Sequence, residues 1–207
     1  RFTIIVVREA EICRRRPRSV RECALAHSFD RKVEKKMERI HVKVPGEQLQ
    51  DREYMKQALA LAEKGHGWVN PNPMVGAVLV KDGRIIGEGY HTRYGQLHAE
   101  REAFKNAAER GEETAGADLY VTLEPCCHTG KQPPCTEAVL ASGVKRVIVG
   151  CTDPNPVVAG RGIRLLREKG LEVVAGVLRG ECERQNEVFF HFMRTKLPFT
   201  VLKYAMT

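Results

Sequence analysis

Between residues 74 and 176, short apolar runs alternate with stretches of helix formers. This alternation limits the folds open to the chain more than any other feature. MVGAVLV (74–80) and RIIGEGY (84–90) are joined by KDG, a hairpin signal. The chain then reads helix (HAEREAFKNAAERG), strand (ADLYVTL), helix (CTEAVLASG), strand (VKRVIVG), helix (GIRLLREKG) and strand (LEVVAG). A helix returns the chain to the edge of the sheet it left, so strands joined by helices run parallel. The pattern predicts an α/β fold, with helices on the faces of a mixed sheet and parallel strands in its second half. A helix over REYMKQALALAEKG, stopped by Gly65, precedes the hairpin. CERQNEVFFHFMRTK reads as one last amphipathic helix. Gly76, Gly87 and Gly89 are expected to let the strands pack closely.

Composition matters chiefly through where the charge lies. The formal net charge is +8. Residues 1–48 hold 13 Lys and Arg against 7 Asp and Glu, and residues 49–207 hold 21 against 19. The basic character therefore belongs to a leading segment, not to the predicted domain. That domain lacks the footprint of a nucleic-acid binder. Residues 1–48 are expected to be a basic extension outside the fold. Organelle transit peptides are Arg-rich but poor in acids, and the acids here argue against one. No apolar run nears the roughly eighteen residues of a membrane span. The expected location is cytoplasmic, or plastid if the extension is a transit peptide.

EPCCHTGKQPPC (124–135) places Cys126 and Cys135 nine apart. In an unexported chain, clustered cysteines suggest a metal or catalysis before a disulfide. HAE (98–100) opens a predicted helix. His98 and Glu100, two apart, can share a site most easily at the helix's first turn. Cys135 opens the next predicted helix, where the free N–H groups favour a thiolate. His98, Cys126 and Cys135 would give zinc three protein ligands and leave a fourth position for water, the catalytic arrangement. Zinc lowers the pKa of such a water from near 16 to roughly 7. Glu100 would be the proton shuttle. HxE followed by PC and a further Cys is the zinc deaminase signature.

The run NPNPMVGAVLV, GEGYH, HAE, TLEPCCHTGKQPPC and DPNP, over residues 51–207, resembles the deaminase domain of the bifunctional riboflavin-biosynthesis deaminase/reductase family. The long insert between the cysteines is that family's mark. Most relatives in the cytidine deaminase superfamily have two residues there, whereas this chain has eight. The resemblance implies a three-layer αβα cytidine-deaminase-like fold with about five strands, over residues 49–197. It implies one zinc per chain and hydrolytic deamination of 2,5-diamino-6-(5-phosphoribosylamino)pyrimidin-4(3H)-one. Asn72 and His91 would contact the pyrimidine or its substituents, and Lys131 would bind the phosphate. Asp153 and Asn155 would complete the pocket. His128 belongs to the motif without a clear role. The family commonly forms dimers or tetramers. Residues 198–207 resemble the start of a reductase domain, and reductase activity is not expected of this chain.

Plainer readings stand beside these. NPNP and DPNP are good turn sequences in their own right. Lys131 on a loop could be a solvated charge. Cys127 reads as a packed thiol near the metal, Cys151 as a small buried hydrophobe, and Cys182 as a residue without an evident partner. The alternatives to the riboflavin-pathway assignment are deamination of another base or nucleotide, such as deoxycytidylate, and a non-catalytic zinc module. No specific nucleic acid and no membrane partner is expected.

Overall fold

The computed structural model describes residues 49–130, 132–155 and 158–203. The chain divides into two compact units, and Gly46–Pro198 holds every described helix and strand. Residues 199–203, the described part of the other unit, carry no regular structure. The expectations for residues 1–48 and 204–207 lie outside the described residues.

The larger unit begins with helix α1 (Leu49–Glu63), followed by strands β1 (Gly76–Lys81) and β2 (Arg84–Tyr90). Then come α2 (Ala99–Glu109), β3 (Asp118–Leu123), α3 (Cys135–Ala141) and β4 (Arg146–Cys151). The unit ends with α4 (Arg161–Glu168), β5 (Glu172–Ala175), α5 (Arg179–Gln185) and α6 (Glu187–Thr195). The sheet order is β2-β1-β3-β4-β5. β1 is antiparallel to β2 and to β3, while β3, β4 and β5 are parallel. This is the mixed sheet the sequence predicts, with its parallel half where helices separate the strands.

The strands alternate their side chains between two apolar layers, as a pleat requires. Leu79, Leu119, Val121, Val147 and Val149 pack against α2, α3 and α4 through Ala103, Val139 and Leu166. Val78, Tyr120 and Ile148 face the other way, toward Met55 of α1, Cys182 of α5 and Phe190 of α6. The result is three layers, αβα. Two strand glycines make the close approach possible. A Cβ on Gly76 would overlap the Ala58 carbonyl of α1, and one on Gly89 would overlap the Ala103 and Ala99 backbone of α2.

The last predicted helix needs correction. It starts earlier, at Arg179, and breaks in two at Asn186. Asn186 leaves the helical geometry (φ −112°, ψ 27°) because its side chain pairs with another element. Its Oδ1 accepts the Met74 N–H at 2.7 Å, and its Nδ2 donates to the Met74 carbonyl at 2.8 Å. Local periodicity carries no trace of a partner 112 residues away.

The topology decides where a site can form. β1 runs opposite to its two neighbours, so its start lies at the same sheet edge as the ends of β2, β3 and β4. The loops at that edge are NPNPMV before β1, His91 after β2, EPCC after β3 and DPNP after β4. Loops at the carboxyl ends of parallel strands are where open α/β sheets bind ligands. No described helix is long and apolar enough to cross a membrane.

Candidate active site

His98 is the N-cap of α2 and Glu100 lies in its first turn, as the sequence predicts. The His98 side chain makes no capping bond, so its ring is available to the site. Cys126 follows β3, and Cys135 opens α3. The ligand atoms of His98, Cys126 and Cys135 lie within 4.8 Å of one another. His98 Nδ1 is 3.6 Å from Cys126 Sγ and 3.3 Å from Cys135 Sγ. The Cys135 N–H donates to Cys126 Sγ at 3.3 Å. One imidazole nitrogen and two sulfurs at these separations fit a zinc ion and do not suit magnesium or calcium. Among the described residues this is the one His/Cys/Asp/Glu cluster that converges in this way. Cys127, beside it in sequence, is not part of the cluster.

The protonation pattern suits a cation. The Cys126 thiol is pulled well below its ordinary pKa, first by the hydrogen bond from Cys135 and then, against burial, by His98. Cys135, bonded to that sulfur and buried near Glu100, is pushed up. His98 is raised by its hydrogen bond with Cys126. Glu100 is 3% exposed, and its carboxyl is raised first by burial and then by the Cys126 charge. Two sulfurs, an imidazole and a buried carboxylate around one point are poorly compensated without a positive charge. A divalent ion would reverse this local balance.

A cavity of about 300 Å³ opens beside the cluster. It is lined by Asn72, His91, His98, Glu100, Cys126, His128, Asp153 and Asn155, among others. Nine of the ten residues predicted from sequence are thus gathered in the cavity wall or, in the case of Cys135, in the ligand cluster. The tenth, Lys131, lies outside the described residues. His91 is almost fully buried (3%), and both its ring nitrogens are engaged within the protein. Nδ1 donates to the Leu97 carbonyl at 2.9 Å, which leaves Nε2 to accept from Asn72 Nδ2 at 3.1 Å. Its ring also meets His98 edge-on, with centroids 5.5 Å apart. Burial holds its pKa below the ordinary histidine value. Asp153 spends Oδ1 on the Asn155 N–H at 2.8 Å, a turn-forming bond. The turn reading of DPNP and its place in the cavity wall therefore hold together.

Several residues of the site escape a reading of the sequence. Phe189 and Met193 of α6 line the cavity, though their spacing signals only an amphipathic helix. Arg101 Nη2 donates to the carbonyls of Pro133 and Pro134, at 3.3 and 3.1 Å. Gln132 Nε2 reaches the Gly95 carbonyl at 3.4 Å. These bonds pin the long insert to the segment that carries His98. Cys151 is buried and its thiol donates to the Thr122 carbonyl at 3.3 Å, as its hydrophobe-like reading implies. Cys182 does have a neighbour. It is fully buried against Gly150, and its hydrogen bond is the first cause of the raised Cys151 thiol.

Residues 48–151 match the family model of the cytidine and deoxycytidylate deaminase zinc-binding region. The chain is 52% identical over 157 residues to the riboflavin biosynthesis protein RibD of Actinobacillus pleuropneumoniae, covering 76% of this chain and 41% of that one. It is 45% identical over 160 residues to the chloroplastic riboflavin biosynthesis protein PYRD of Arabidopsis thaliana, covering 77% of this chain and 37% of that one. The crystal structure of a diaminohydroxyphosphoribosylaminopyrimidine deaminase/5-amino-6-(5-phosphoribosylamino)uracil reductase from Thermotoga maritima superposes with a TM-score of 0.70 at 51% identity. That match covers 72% of this chain and 43% of the other. The chain spans about two fifths of the length of these relatives. With the ligand cluster, the buried carboxylate and the family model all falling on the same residues, the chain belongs to the cytidine and deoxycytidylate deaminase family.

Proposed function

We propose that the chain catalyses hydrolytic deamination of 2,5-diamino-6-(5-phosphoribosylamino)pyrimidin-4(3H)-one, with one zinc per chain. The observation that carries this reading is the convergence of His98, Cys126 and Cys135 beside a cavity whose wall includes buried Glu100. The choice of substrate is supported by the nine-residue spacing of the thiols and by relatives that share about half their residues with this stretch.

His98, Cys126 and Cys135 would hold the zinc, which supplies Lewis acidity that lowers the pKa of a water to roughly 7. Glu100 does the proton work. Buried beside the three ligands, it is placed to take a proton from the attacking water. It passes that proton to the ring nitrogen, then moves the proton of the newly added hydroxyl to the amino group, so that the carbonyl forms as the C–N bond breaks and ammonia departs. Asn72 presents its amide to the pyrimidine. His91, with both nitrogens engaged, holds Asn72 and braces the His98 ring. Asp153 and Asn155 complete the pocket, Lys131 binds the phosphate, and His128 sits at the exposed rim. The same reading carries a homo-oligomer, dimer or tetramer, and a cytoplasmic location, or a plastid one if residues 1–48 serve as a transit peptide.

Ammonia release tests this with zinc-loaded protein, Glu100→Ala as control, and four substrates: the ribosylaminopyrimidine phosphate, its dephosphorylated form, cytidine and deoxycytidylate. Turnover of the first alone, lost in the control, is the expected result. Turnover of deoxycytidylate instead would keep the chemistry and overturn the substrate. No turnover by folded, zinc-loaded protein would overturn the reading.

A further inference from the structure

Glu124 immediately follows β3, and only 3% of it is exposed. An isolated buried carboxylate is costly. This one accepts four backbone N–H bonds. Oε2 takes Asp153 and Gly160, at 3.2 and 2.8 Å, while Oε1 takes Gly162 and Ile163, at 2.9 and 3.2 Å. Its own N–H donates to the Cys151 carbonyl at 2.9 Å. Gly160 is the N-cap of α4 and has no side chain to cap with, so Glu124 supplies the cap from another element. The approach is so close that a Cβ on Gly162 would overlap the Pro125 carbonyl.

The partners of this carboxylate bracket the whole excursion from β4 to α4. That excursion carries Asp153 and Asn155. Two residues further along the chain from Glu124 is Cys126. We propose that Glu124 is a positioning residue: it locks the Asp153–Asn155 loop to the strand end that bears the Cys126 ligand. The lock sets the distance between the reacting centre and the substrate portion held by that loop. The catalytic consequence rests on the function proposed above, whereas the lock itself does not.

Glu124→Gln tests it. The amide turns an NH₂ toward N–H donors, so two of the four bonds are lost. Two readouts are needed, hydrogen exchange at residues 152–163 and steady-state kinetics on the ribosylaminopyrimidine phosphate. The expected result is faster exchange at Asp153, Gly160, Gly162 and Ile163, with β3 and β4 unchanged and zinc retained. KM rises about tenfold or more, while kcat falls by less than about threefold. Glu124→Asp, which keeps the charge but loses reach, moves both readouts less and in the same direction. It carries the test if the Gln variant does not fold. Unchanged exchange overturns the lock. Faster exchange with unchanged KM reduces Glu124 to a helix cap and overturns its positioning role. If the wild-type protein does not turn over this substrate, the proposed function fails. Exchange alone then decides the lock.

Discussion

β3 and β4 carry a buried polar cluster at each end, and the two clusters are built on opposite terms. At the ends where the strands begin, Arg146 of β4 bonds Asp51 of α1 at 2.8 and 3.3 Å and Asp118 of β3 at 3.0 Å. The Tyr120 hydroxyl donates to Asp51 at 2.7 Å. Asp118 Oδ1, the one oxygen there without a hydrogen bond, faces Lys145 Nζ at 3.8 Å. Burial works against the Arg146 charge, yet the two carboxylates outweigh it and its pKa is raised. Where the strands end, His98, Cys126 and Cys135 bring their ligand atoms together beside buried Glu100. The first cluster pairs its charges within the chain, whereas under the proposed function the second is completed by a metal and a substrate. Saturated polarity ties α1 to the sheet. Unsaturated polarity marks the site.

The sharpest way to test this contrast is to remove one group from each end. Glu100→Gln should cut kcat by about 10²–10⁴-fold, the range of general acid–base catalysis. Zinc content should hold, because His98, Cys126 and Cys135 are untouched, and the unfolding midpoint should stay near that of the wild type, the amide being nearly isosteric with the carboxyl. A variant with near wild-type turnover would remove Glu100 from the chemistry. Arg146→Met should do the reverse. It strands Asp51, 1% exposed, and should cost about 3–5 kcal/mol in denaturant unfolding. The kcat/KM of the folded fraction should stay at the wild-type value. A loss of activity without a loss of stability would show that the ion cluster serves the site as well.

The two ends were not equally legible in the sequence. The site end announces itself because its chemistry needs particular residue types at fixed places: His98 and Glu100 in one helical turn, Cys126 after a strand, Cys135 at a helix start. The hairpin, the parallel half-sheet and the closing glycines follow from periodicity and turn chemistry in the same way. The ion cluster is silent, since Asp51, Asp118 and Arg146 each look like an ordinary surface charge in their own segment. Their pairing spans up to 95 residues and exists only once α1 lies on the sheet. Asn186 and Glu124 were missed for the same reason. Each spends its side chain on backbone far along the chain. The sequence suggests His91 only as a substrate contact, because the pairing of both its nitrogens exists only in the fold.

Asn186 blurs the contrast, being a satisfied polar group that sits against a site loop. Its two bonds hold Met74, two residues past Asn72. Asn186→Ala leaves the Met74 N–H and carbonyl without these partners and should cost about 1–3 kcal/mol of stability. If saturation marks only structure, KM stays unchanged. If the NPNPM turn must be held for Asn72 to meet its ligand, KM rises severalfold in a protein that still binds zinc. The latter is expected, and the kinetics of the folded fraction decide it.

His91 gives the smallest effect and the finest test. Burial lowers its pKa, so the native state resists the proton that the unfolded chain accepts near the ordinary value of 6.5. The unfolded state therefore binds more protons over that window, and stability falls as pH drops through about 6.5 toward the lower native value. His98, raised by Cys126, has the opposite slope in the metal-free protein, so the total pH profile does not isolate His91. The difference between wild type and His91→Gln does, measured by denaturant unfolding at pH 8 and at pH 5.5. The wild type should lose more stability across that interval than the variant. Equal losses would mean that His91 takes up its proton as readily folded as unfolded, which the Asn72 bond to Nε2 forbids so long as that bond is intact. The same comparison thus reports, through a proton, whether the Asn72–His91 pair holds in solution.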